Sequence, residues 1–158
     1  MYASTTIIGL IILALFIIPV FLISKSKKKK SEQLKNDLMN EAKKAGITIA
    51  DTDHWNDSVL GIDDKEETII YIDESRNEKE IHVFNMNEVK SVKFFPDITN
   101  EKSKIDYNKE PKLCITLFFK ESAKAEVNLT FFTANFGNLS KHEQNLFEKW
   151  VDKIKKLH

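Results

Sequence analysis

The stretch TIIYIDESRNEKEIHVFNM, residues 68–86, decides the fold class. Two short runs rich in Ile, Val, Tyr and Phe flank the polar segment DESRNEKE, and β-branched and aromatic residues at that length read as strands. Strands joined by so short a loop form a hairpin, which makes the sheet antiparallel. The runs SVLGID (58–63), VKSVKFF (89–95), LCITLFFK (113–120) and AEVNLTFF (125–132) have the same character. The last two are joined by KESAK as a second hairpin, and Val127, Leu129 and Phe131 alternate with Asn128 and Thr130 as in a half-buried strand. PDITNEKSKIDYNKEPK (96–112), polar and bounded by prolines, reads as an excursion between strands.

A different period flanks the strands on both sides. After them, Ser140 and Glu143 have the spacing of a capping box, and Leu146, Phe147, Trp150, Val151, Ile154 and Leu157 form one apolar stripe that must be buried. Before them, SEQLKNDLMNEAKKAG (31–46) sets Leu34, Leu38, Met39, Ala42 and Ala45 at helical spacing, with Gly46 suited to end the helix. This segment is expected to be a helical stalk whose narrow stripe lies on the domain or pairs with a second stalk; two heptads are short for a coiled coil, which favours the domain. Strands followed by a packed helix make an α+β fold.

Further towards the N-terminus, fourteen of the seventeen residues from Ile7 to Ile23 are Ile, Leu, Phe or Val, and none is charged. With Ala3 to Thr6 the run approaches the roughly 20 residues that cross a bilayer, and its insertion is favourable by up to about 6 kcal/mol. A cleavable signal carries its charge before the apolar run and small residues after it; here the order is reversed. A retained single-pass anchor over 1–24 is therefore expected. The collar that follows, Lys25, Lys27, Lys28, Lys29 and Lys30, keeps its side of the membrane cytoplasmic. The N-terminus is then outside, and residues 47–158 form a cytoplasmic domain at the cell inner membrane. The sole cysteine, Cys114, needs no oxidising compartment.

The formal net charge of zero conceals a division. With five lysines in the collar at 25–30, residues 31–158 hold 19 Lys and Arg against 24 Asp and Glu, a net charge of −5. The collar is suited to anionic lipid, at about 1 kcal/mol per lysine near the surface. An acidic domain argues against nucleic acid as a partner, because phosphate neutralisation dominates such binding.

Enzymatic chemistry finds no residues to carry it. DTDHWND (51–57) gathers three carboxylates and a histidine, but a calcium loop would require glycine in place of Asn56 and glutamate in place of Ile62. A solvated connector is expected there, with Trp55 as a packing anchor. His142-Glu143 lacks the second histidine of a zinc-protease helix, and Cys114 lies in an apolar strand with no base nearby. No metal, cofactor or catalytic residue is expected.

The runs VLGIDDKEETIIYID and IHVFNMNEVKSVKFF, two further strands and a closing helix resemble the bent antiparallel sheet, or partly open barrel, of a pleckstrin-homology-like domain. The whole chain is similar to small membrane-anchored bacterial proteins of unassigned function, and Gly61, Ile62, Asp63, Asp64, Glu88, Val89 and Trp150 carry the likeness. The resemblance implies a fold and a mode of anchoring, with no activity attached. The expected role is a non-enzymatic interaction or scaffold module, in which a sheet edge or the groove beside the last helix takes a protein partner. The alternative is a lipid-headgroup sensor, disfavoured because DDKEE and DESRNEKE are acidic where a headgroup needs basic hairpins.

Overall fold

Strands β1 (Asp51–Trp55), β2 (Ser58–Asp63), β3 (Thr68–Asp73) and β4 (Glu80–Asn85) form one antiparallel sheet in that order, and β5 (Val89–Phe95), β6 (Lys112–Phe119) and β7 (Val127–Thr133) form a second. Helix α1 over 28–45 precedes them and α2 (Lys141–Leu157) follows. The computed structural model describes residues 28–63, 65, 67–75, 78–96, 112–121, 124–134 and 138–158. The apolar run, Lys25, Lys27 and the excursion at 97–111 lie outside these residues. Among the described residues no helix is long and apolar enough to cross a membrane.

Each strand of the first sheet has two faces, and α1 explains why β2 and β3 read as unbroken apolar runs. Leu60, Ile62, Ile69 and Tyr71 point into the main core between the sheets, while Val59, Ile70 and Ile72 point outward beneath Leu34, Leu38 and Ala42 of α1. Both faces of these strands are dry, so neither alternates with polar residues. Gly61 lies directly under the helix, and a Cβ there would stand 3.0 Å from both Leu38 methyls. Gly46, at φ +72°, ends α1 with its N–H donating to Lys43 O and that of Ile47 to Ala42 O, the paired closure that satisfies the last carbonyls of a helix. The helix thus belongs to the packed domain from Leu34 to Ala42, and Lys28, Lys29 and Lys30 are its first turn.

The segment 51–57 is not the solvated connector that its polarity suggests. Asp51–Trp55 is the edge strand β1, paired through its length with β2, and Asn56-Asp57 is the two-residue turn between them. Asn56 takes φ +47°, which such a turn requires and asparagine tolerates. The aspartates are accepted because α2 supplies their partners. Lys149 bonds Asp51 at 3.1 Å and also Asp53, Lys153 bonds Asp51 at 3.0 Å, and the Trp150 indole N–H donates to Asp53 at 2.9 Å. Burial opposes ionisation of Asp51, but hydrogen bonds from Lys149 and Lys153 outweigh it and hold the carboxyl below its usual range.

Helix α2 closes the open end of the core. Its capping box is formed, with Glu143 N–H donating to Ser140 Oγ and Ser140 N–H to Glu143 Oε2. Leu146, Phe147, Trp150, Val151 and Ile154 are buried as the sequence predicts. Trp55 is the packing anchor expected: its ring stacks on Phe131 at 4.3 Å, and its N–H donates to Thr130 O at 2.8 Å.

Candidate functional site

The expected surface residues divide at the boundary of the described chain. Lys28 and Lys29 are exposed at the start of α1, while Lys30 is turned onto the domain, 2.8 Å from Asp57 in the β1–β2 turn and 4.0 Å from Glu74 beyond β3. One lysine of the collar is therefore neutralised by the acidic hairpin end of the domain. A cleft of about 490 Å³ opens beside it, lined among others by Ser31, His54, Ser75 and His142. Burial pushes the His54 pKa down, and the charges of Lys35 and His142 add to this. His54 stands apart from any set of ligands: among the described residues no three His, Cys, Asp or Glu side chains are placed to hold a metal.

The sulfur chemistry is equally quiet. Cys114 is fully buried in β6, with its thiol 3.7–3.9 Å from Thr116, Asn128 and Thr130. The Thr116 hydroxyl donates to Asn128 Oδ1 at 2.7 Å, a polar pairing across two strands that positions no base against the thiol.

A more distinctive surface is the outer edge of β5. This strand ends its sheet, so among the described residues one side of its backbone has no strand neighbour. Val92 and Phe94 lean against the main core, as does Leu157 at the end of α2. Phe95 stays 46% exposed. Lysines stand over the rings: Lys155 is 5.5 Å from the centre of Phe94, Lys112 5.9 Å from Phe95 and Lys93 5.2 Å from Phe118. Lys90 of β5 and Lys156 of α2 are also exposed. Three lysines and three phenylalanines thus meet around β5, in a domain whose net charge is −5. Sequence reading did not assemble this surface, since its lysines come from β5, β6 and α2. The available signal was VKSVKFF, a strand that carries two exposed lysines, Lys90 and Lys93.

A scan of protein-family models and searches of curated proteins and of solved structures return no match to this chain.

Proposed function

We propose that this chain is a single-pass membrane-anchored, non-enzymatic interaction module whose cytoplasmic, pleckstrin-homology-like domain takes an extended acidic segment of a protein partner along β5, beside α2. The observation that carries the proposal is the β5 edge, which has no strand neighbour among the described residues, with Lys93, Lys112 and Lys155 beside it. Backbone groups along a free edge supply sequence-independent hydrogen bonds to an added strand, and flanking side chains supply the preference. Here the preference is for carboxylates, with Phe94 and Phe95 offering apolar contact. The four-strand meander, three-strand meander and closing helix, in that order, support the pleckstrin-homology-like reading.

The lipid-sensor reading has less support. The β1–β2 turn and the start of the β3–β4 loop present Asp57 and Glu74 beside Lys30, and these acids repel a phosphorylated headgroup. The remaining collar lysines suit general attraction to anionic lipid, without headgroup selection.

Selection from a displayed peptide library against the full chain in lipid nanodiscs tests the proposal. The expected ligands are acidic, with apolar residues at alternate positions, and their binding falls as salt rises and screening shortens. Lys93→Glu together with Lys155→Glu should weaken them roughly tenfold or more, the loss of about two favourable charge contacts. Selected ligands that are neutral, and indifferent to that pair of substitutions, would overturn the proposal.

A further inference from the structure

The first sheet ends in β4, whose outer edge also has no strand neighbour among the described residues. Its hydrogen-bond phase can be deduced. Met86 N–H donates to Glu67 O at 2.9 Å, and that pair continues the register of Phe84 with Ile69, His82 with Tyr71 and Glu80 with Asp73. Bonded and non-bonded pairs alternate in an antiparallel ladder, so Glu80, His82 and Phe84 bond inward to β3. Ile81 and Val83 consequently turn their N–H and C=O groups outward.

The same two residues present bare apolar side chains, 41% and 40% exposed. They lie opposite Ile72 and Ile70, on the face that α1 covers over β2 and β3 but leaves open over β4. The contrast with β5 is chemical. That strand carries two exposed lysines, which would meet the like charges of a second copy and so disfavour pairing with itself while suiting an acidic segment. β4 has no lysine, proline or bulge, and its one acid, Glu80, lies 3.6 Å from His82.

We infer that β4 pairs antiparallel with β4 of a second copy of this chain, about a two-fold axis at His82, joining two four-stranded sheets into one. This register sets Ile81 against Val83 of the second copy in both directions, as bonded pairs that use the outward N–H and C=O groups. It sets Glu80 against Phe84, so no like charges oppose each other. A copy is favoured over a charged partner because the edge is nearly neutral and complementary to itself. A six-residue edge buries less than the roughly 1,200 Å² of a stable complex, so pairing should be weak in dilute solution. Resting here on the anchoring proposed above, the run from Ile7 to Ile23 confines copies to one plane and raises their effective concentration.

The test is disulfide capture with the full chain in native membranes. His82→Cys places two cysteines at a non-bonded pair, where Cα atoms stand about 4.5 Å apart, within the range that a disulfide spans. Mild oxidation should give a covalent dimer, and adding Val83→Lys should reduce its yield roughly tenfold through the charge placed on the edge. A mixture of Ile81→Cys and Val83→Cys copies should crosslink more readily than either variant alone, which checks the register if His82→Cys disturbs the strand. Fractionation of the same samples reads the anchor separately: a dimer found in the soluble fraction keeps the pairing and removes the anchor. No disulfide in any of these variants, whichever fraction holds the protein, or capture of a different protein in place of a copy, overturns the pairing.

Discussion

Trp150→Ala is expected to lower the free energy of unfolding by about 3–5 kcal/mol. The side chain is fully buried and packs in the cluster that joins both sheets to α2. Its loss leaves a cavity that neighbours fill only partly, and it removes the N–H donated to Asp53 at 2.9 Å. Against a typical stability of about 5–15 kcal/mol, that is a large fraction for a domain of this size. Chemical denaturation followed by circular dichroism measures it, with an unchanged slope showing that the denatured state is not responsible. Trp150→Phe should lose less, because most of the volume stays and Lys149 still engages Asp53. Unaltered stability in Trp150→Ala would show that α2 does not dock on this core.

Leu38→Ala is expected to cost about 2–5 kcal/mol by the same mechanism. This result separates a helix that belongs to the domain from a stalk that merely connects it to the membrane. Leu38 is fully buried between Val59, Ile70 and Ile72, with both its methyl groups above Gly61. Gly61→Ala alone should also destabilise, by about 1–3 kcal/mol, since a well-packed contact must open to admit the methyl. Combined, the two substitutions should lose less than the sum of the single effects, because the alanine Cβ at 61 occupies part of the space that Leu38 vacates. Additive losses would mean that the helix and the strand do not touch at this point.

Much of this architecture is legible in the residues. The strands from β2 to β7 follow from composition and length, with alternation visible in β7, and α2 follows from its apolar stripe. β1 is not legible by that route. DTDHW has the polarity of a loop, and its aspartates become tolerable only through Lys149, Lys153 and Trp150, about a hundred positions later. The better signal was local: Asn56-Asp57 between two runs that pair residue for residue, the chemistry of a tight hairpin. For α1 the stripe of Leu34, Leu38 and Ala42 was visible, and Gly61 marked the place where it lies, but glycine in a strand has several readings. The β5 surface was hidden for another reason. Charge counted along the chain gives an acidic domain, whereas folding brings Lys93, Lys112 and Lys155 to the phenylalanine rings around β5.

The central claim is that this domain works on the cytoplasmic face of a membrane, and a single engineered thiol tests it most directly. Glu148→Cys puts a cysteine on the exposed side of α2, while native Cys114 is fully buried and contributes little background. In spheroplasts with an intact inner membrane, the account predicts no reaction with a membrane-impermeant maleimide and full reaction once the membrane is permeabilised, with the protein sedimenting in the membrane fraction. Labelling before permeabilisation would place the domain outside and contradict the orientation drawn from the lysine collar.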